Sequence, residues 1–359
     1  MNDNIDTGSW TWNWNLYTVK SSGRWNVETA EKPKRNWRRR IRNLVCFTFG
    51  LGSVLFWVTQ PLPTVSGPRS APLIEVDTER LETHVRILTD DMAPRNFEHF
   101  QNMEKTADYI QEQFEGAGAR ISELSYEVNG KMFRIVSGFY GPDTKERIIV
   151  GAHYDAVPGS PGADDNASGV AGLLEMAAAL GETPPPMQVE LVAYPNEEPP
   201  FFRSRLMGSY VHAMHLREKK VAVRLMIALE SIGYFSDKPF TQLYPNPFFR
   251  LFYPSRANFI AVVSRLREGP AVRRIKKAMR TVPDLSVYSF NGPSFIAGVD
   301  YSDHRSYWKA GYRALMITDT AFYRNDHYHT PQDLPATLDY KRMSKVVQGV
   351  YAVVLAEAR

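Results

Sequence analysis

The stretch from Gly151 to Gly169, Gly-Ala-His-Tyr-Asp-Ala-Val-Pro-Gly-Ser-Pro-Gly-Ala-Asp-Asp-Asn-Ala-Ser-Gly, constrains this chain more than any other. An apolar run, Arg147-Ile-Ile-Val-Gly-Ala152, delivers His153 and Asp155 at a strand end. A Pro/Gly-rich loop follows, and Asp164, Asp165 and Asn166 stand just before the helical pattern Val170–Leu180. Ligands collect at strand ends in open α/β sheets. His153 and Asp155 lie two apart, on one side of the strand end. An Asp so placed can hold the second nitrogen of a metal-ligating imidazole. The plain alternative is a strand-end histidine followed by an acidic cluster that caps a helix.

The rest of the pattern embeds this stretch in an alternating α/β chain. Val76–Leu88 and Thr106–Glu115 have helical spacing; Ile121–Val128, Met132–Phe139 and Ile148–Val150 read as strands, with Asn129-Gly130 as a hairpin turn. Strands Gln188–Tyr194, Val223–Leu229 and Ala314–Thr318 alternate with helices near Met207–Arg217, Asp303–Ala310 and Tyr340–Ala356. Residues 236–297, rich in aromatics and carrying a basic helix near Val272–Arg280, break the rhythm and read as a cap-like insert. The expected fold is a three-layer α/β/α sandwich around a mixed, mainly parallel sheet.

Charge is uneven along the chain. The formal net charge is +4, but residues 1–43 hold nine Lys/Arg against four Asp/Glu, so the remainder is slightly acidic and offers no general case for nucleic acid. That leading segment carries five of the seven Trp, has no core-forming pattern, and reads as a disordered basic tail. The uncharged run Leu44–Val58 follows; as a helix it would measure about 22 Å, short of a ~30 Å hydrocarbon core unless flanking residues snorkel. The basic block before it predicts a membrane anchor over 44–60 with the N-terminus cytoplasmic. A linker over 61–74 would then lead to an exported domain over 75–359, placed at the inner membrane and facing the periplasm or exterior. The lone Cys46 excludes a disulfide framework and a cysteine metal site.

Acidic or histidine groups stand just beyond four apolar runs: His153 and Asp155 with Asp164, then Glu197-Glu198, then Glu230, then His329. Each has a dull alternative. Glu197-Glu198 before Pro199-Pro200 fits a solvated turn, and His329 is a loop histidine with His327 as its competitor. His212 and His215 read as surface or packing residues, while His304 stays open. Taken together, two histidines and several carboxylates form the nitrogen/oxygen donor set that suits zinc, with enough ligands for two ions if one carboxylate bridges them.

The segments His153-Tyr-Asp155, Gly162–Gly169, Asn196-Glu-Glu198, Leu229-Glu230, Ser302-Asp-His304 and Tyr328-His-Thr-Pro-Gln-Asp333 occur in an order that resembles the co-catalytic di-zinc exopeptidases, the family of bacterial leucyl aminopeptidase, aminopeptidase Y and glutamate carboxypeptidase. The likeness covers roughly residues 75–359. It implies two Zn2+ ions and a peptide substrate. It also implies Asp164 as the bridging ligand, His153 and Glu230 on one ion, and Glu198 and His329 on the other. Glu197 would be the general base, Asp155 would orient His153, and a cis peptide would fall at Asp164–Asp165. Glu230 stands where many members have Asp. The tyrosine that aminopeptidases carry upstream of Ser-Asp-His has no match, since Tyr301 is placed differently, so the oxyanion-stabilising group is left open. Aromatics in 236–297 and in Glu198-Pro-Pro-Phe-Phe202 point to an apolar substrate side chain. The favoured activity is removal of N-terminal residues from peptides; a single-zinc glutaminyl cyclase and a catalytically silent receptor-like member are the alternatives.

Overall fold

Apolar residues that alternate along successive strands build one eight-stranded sheet with a core on each face. The computed structural model describes residues 37–59 and 74–359, and the chain divides into two units, Met1–Leu51 and Gly52–Arg359. In the larger unit the strands are β1 (Arg120–Val128), β2 (Lys131–Tyr140), β3 (Glu146–His153), β4 (Gln188–Tyr194), β5 (Ala222–Glu230), β6 (Ile260–Ser264), β7 (Val287–Asn291) and β8 (Ala314–Thr318), ordered β1-β2-β4-β3-β5-β8-β6-β7. The central run β4-β3-β5-β8 is parallel, while β1, β2 and β6 make antiparallel pairings. Ile148 and Val150 of β3, Val189 and Leu191 of β4, and Leu225 and Ile227 of β5 enter one core. Ile149, Val192 and Met226 enter the other. That period of two makes the expected three layers.

Helices α2 (Thr78–Arg86), α3 (Phe100–Gly116), α4 (Gly169–Glu182), α6 (Gly269–Met279) and α8 (Tyr340–Glu357) cover the first face, and α5 (Gly208–Glu218) with α7 (His304–Ala310) covers the second. The segment 236–297, expected as an insert, instead supplies β6 and β7 to the sheet and α6 to its first face. Its two strands are only five residues each and stand in a segment rich in aromatics.

Helix α1 spans Trp37–Thr59, 23 residues that take in Arg38, Arg39, Arg40 and Arg42. No helix among the described residues is long and apolar enough to cross a membrane. The anchor expected over 44–60 therefore finds no support: the run is helical, as part of a helix that also holds four arginines. The disordered tail expected over 1–43 is helical from Trp37. Residues 1–36 of that tail, and nearly all of the 61–74 linker, lie outside the described residues.

The loop after β3 is held by Arg95, which is 1% exposed. Its Nε donates to Tyr154 O at 2.9 Å, Nη1 to Leu88 O and Pro161 O, and Nη2 to Gly162 O at 3.0 Å. Burial pushes this guanidinium down to about 10, against the pull of Asp155, Asp333 and Asp165. Removing it would leave several buried carbonyls without donors. Arg95→Met is expected to lower stability by roughly 3 kcal/mol or more, read as a shift in the urea midpoint with the slope unchanged.

Candidate active site

The carboxyl ends of β3, β4, β5 and β8 open on one side of the sheet, and the loops that follow them converge. His153 closes β3, Glu230 closes β5, Glu197 and Glu198 follow β4, and His329 lies in the loop beyond β8. His153 Nε2 is 3.2 Å from Asp165 Oδ1 and 3.3 Å from Glu230 Oε2. His329 Nε2 is 3.1 Å from Asp165 Oδ2 and 3.2 Å from Glu198 Oε1. Two triads, His153–Asp165–Glu230 and Asp165–Glu198–His329, therefore share one carboxylate.

The shared residue is Asp165, which corrects the expectation that Asp164 bridges. Asp164 Oδ1 accepts from Gly233 N and its Oδ2 from Asn325 Nδ2, each at 3.0 Å, so this carboxylate is spent inside the loop framework. The Asp333 carboxylate accepts from the amides of Asp164 and Asp165, at 3.0 and 3.2 Å. Asn166 reaches across to β5, donating to Leu229 O and accepting from Ser231 N. Three neighbouring polar residues thus face three ways, because Asp165 and Asn166 leave helical backbone geometry. The cis peptide lies at Asp165–Asn166, one residue beyond the expected place.

Asp155 does more than orient His153. Its Oδ1 is 3.4 Å from His153 Nδ1, which donates to the Asp155 carbonyl at 3.1 Å. The same carboxylate accepts from Glu197 N and Glu198 N, at 3.1 and 3.0 Å. Gly151 lets the Tyr194 ring cross β3 beside this site; a Cβ there would lie 2.4 Å from that ring.

The electrostatics are those of crowded carboxylates with imidazoles as their ion-pair partners. Burial opposes protonation of His153, yet Glu230, Asp155 and Asp165 push it well above its ordinary value. Burial likewise opposes His329, and Asp165 and Glu198 carry it up to about 10. Burial would raise Asp165, but the two histidines hold it well below the usual carboxylate range. Burial and Asp165 raise Glu198 to about 8 and also raise Glu230. Glu197 rises well above its ordinary value through burial, Glu230, Glu198 and Asp303, against the pull of His153.

Hydrogen bonding points the same way. His153 Nε2, Asp165 Oδ1, Glu197 Oε1, Glu198 Oε1 and Glu230 Oε2 are buried and have no hydrogen-bond partner among the described residues. Buried polar atoms are normally satisfied, and a site for a bound ion is one standard reason when the protein's own groups leave them unpaired. Two imidazoles and three carboxylates, with these atoms turned inward, fit a pair of divalent cations of the zinc type.

The other sequence candidates fall outside the triads. His212 is buried between Tyr307 Oη at 2.6 Å and Glu190 Oε1 at 3.0 Å. His304 stacks edge-on against Trp308 and contacts Val299 O. His327 lies against Tyr234. Two groups were missed. Asp303 is buried with both carboxylate oxygens unpartnered among the described residues, and burial pushes it up to about 7. Tyr328 lines the cleft with Glu197, Glu198, Glu230 and His329. Its ring stacks on His329, with centroids 3.8 Å apart. The quoted Tyr-His-Thr-Pro run held that signal, but adjacency in a loop does not say which side chain faces inward.

Residues 135–354 match the sequence profile of peptidase family M28. The chain is 45% identical over 315 residues to the uncharacterized protein YfbL of Escherichia coli (strain K12), covering 86% of this chain and 95% of that one. It is 28% identical over 225 residues to aminopeptidase YwaD of Bacillus subtilis (strain 168), covering 59% of this chain and 42% of the relative. Among solved structures, the fold is similar to BSAP, a zinc aminopeptidase from Bacillus subtilis, with a TM-score of 0.64, 15% identity and coverage of 79% and 95%. It is also similar to Bacteroides thetaiotaomicron glutaminyl cyclase, with a TM-score of 0.62, 18% identity and coverage of 79% and 99%.

The geometry separates two adjacent aspartates. Asp165→Asn should lower the divalent metal retained by the purified protein, because an amide is a poor ligand and both triads lose a member. Asp164→Asn should keep metal retention near that of the parent and instead lower thermal stability. Elemental analysis beside thermal melting checks both.

Proposed function

The chain belongs to peptidase family M28 and is a metallo-exopeptidase, and from that premise we propose that it is a zinc aminopeptidase that removes N-terminal residues with apolar side chains. The observation that carries the reading is the sharing of Asp165 between two histidine-carboxylate triads. His153, Asp165 and Glu230 would hold one ion; Asp165, Glu198 and His329 would hold the other. When bound, the metal pair supplies polarisation of the scissile carbonyl and an acidified water.

The remaining steps fall to the chain's own side chains. Glu197 is the general base: its Oε1 is unpartnered and buried beside the triads, and its raised proton affinity suits uptake of a proton and its return to the leaving amine. Tyr328 is a hydroxyl donor toward the developing oxyanion. Burial, followed by the carboxylates of Asp165, Glu198, Glu230 and Glu197, pushes its phenol far up, so it stays protonated. Asp155 fixes the imidazole of His153 and the amides of both glutamates.

An apolar cavity of about 820 Å³, part of it open to solvent, adjoins the cleft through Glu230, Tyr301, Phe322 and Tyr328. Tyr244, Tyr253 and Tyr323 line it with their hydroxyls donated to the carbonyls of Pro254, Ser289 and Ala297. Ring faces with no free polar handle suit a hydrocarbon or aromatic side chain. The likeness to a glutaminyl cyclase supports a second reading, cyclisation of N-terminal Gln. The two complete triads offer more ligands than a single ion needs, which favours the peptidase.

Glu197→Gln should leave zinc content nearly unchanged while kcat on an N-terminal leucine or phenylalanine substrate falls roughly 10²–10⁴-fold. Tyr328→Phe should lower kcat about 10²–10³-fold, the scale of one lost oxyanion donor, with KM close to that of the parent. Steady-state kinetics beside metal analysis reads both. Cyclisation of Gln-peptides with no release of N-terminal residues would decide for the second reading.

A further inference from the structure

Behind the Phe202 and Tyr301 rings of the cleft the chain gathers positive charge. Phe202 and Tyr301 line the cleft together with Glu197, Glu198 and His329, and Phe202 does not reach the apolar cavity. The Arg203 guanidinium lies over both rings, 5.3 Å from the centroid of Phe202 and 4.9 Å from that of Tyr301. Its Nη2 is 2.7 Å from Asp300 Oδ1, and Arg305 Nη1 pairs with the other oxygen of that carboxylate. Arg305 Nε is buried and has no hydrogen-bond partner among the described residues. Arg205 and Lys309 are exposed. Burial, then Arg305, Arg203 and Arg205, push the Lys309 ammonium down, and burial followed by Arg203 does the same to Arg305. Two guanidiniums, Arg203 and Arg305, thus share one buried carboxylate, Asp300, and so carry excess positive charge, to which the exposed Arg205 and Lys309 add. A structural ion pair would need one arginine for Asp300, not this surplus.

We propose that the rim formed by Arg203, Arg205, Arg305 and Lys309 binds a carboxylate on the leaving-group side of the substrate. The inference rests on the aminopeptidase reading. If the apolar cavity takes the side chain of the N-terminal residue, the peptide beyond the scissile bond continues along the Phe202 wall and meets these cations. A guanidinium already fixed by ring stacking and by Asp300 is preorganised for such a partner. The carboxylate can be the free C-terminus of a dipeptide or the side chain of an acidic second residue.

The test uses the zinc-loaded full chain and three substrates: Phe-Gly, Phe-Gly-amide and Phe-Glu-amide. The expected result is a kcat/KM about tenfold higher for Phe-Gly, for Phe-Glu-amide or for both than for neutral Phe-Gly-amide. The gain should lie mainly in KM and shrink in 0.5 M NaCl, where exposed charges are screened. Preference for Phe-Gly alone identifies the C-terminal carboxylate; preference for Phe-Glu-amide identifies the side chain. In Arg203→Gln and Arg205→Gln, both exposed positions, the ratio of anionic to neutral substrate should fall toward one. Equal kcat/KM for all three substrates in the parent protein would overturn this inference and leave the aminopeptidase reading standing. No release of phenylalanine from any of them would overturn both.

Discussion

Carboxylates packed against one another without arginine or lysine partners are the constraint from which this site follows. Asp165, Glu197, Glu198 and Glu230 lie buried together, and among the described residues the opposite charges paired with them come from two imidazoles. Burying such a charge is costly unless it is paired or coordinates a metal. The fold has arginines at hand and keeps them out. Arg95 spends its guanidinium on backbone carbonyls behind the loop. Arg324, also buried, donates to Phe259 O and to the Gln242 side chain. The donors that face the cleft are therefore left for cations from outside the chain.

Much of this was legible because strand ends are legible. The apolar runs before His153, Glu197 and Glu230 define parallel strands, and parallel strands deliver their carboxyl ends to one edge. The same reasoning could not choose between Asp164 and Asp165. That choice belongs to the backbone of a six-residue irregular turn, where Asp333 holds two amides and Asn166 ties the turn to β5. Asp333 lies more than 160 residues away in sequence, so no local pattern announces it. The membrane expectation rested on the uncharged run over 44–58, and that run forms the later part of a helix that begins among four arginines. The strands β6 and β7 escaped because each is only five residues long and they stand in a segment crowded with aromatics.

Asp155 shows how one side chain sets the spacing of the whole site. It follows β3 and steadies His153 on one triad; at the same time it accepts from two consecutive amides after β4. Asn196, with φ of +61°, turns the chain just before those amides. The turn lets Glu198 reach His329 while Glu197 keeps an oxygen unpartnered in the cleft. A rigid clamp between neighbouring strand ends thus assigns different directions, and so different chemistry, to two adjacent and identical residues. Because β3 and β4 are hydrogen-bonded in register up to His153 and Tyr194, the clamp inherits its position from the sheet itself. The proposed separation of base from ligand would accordingly be a property of the core, carried to the cleft by one carboxylate.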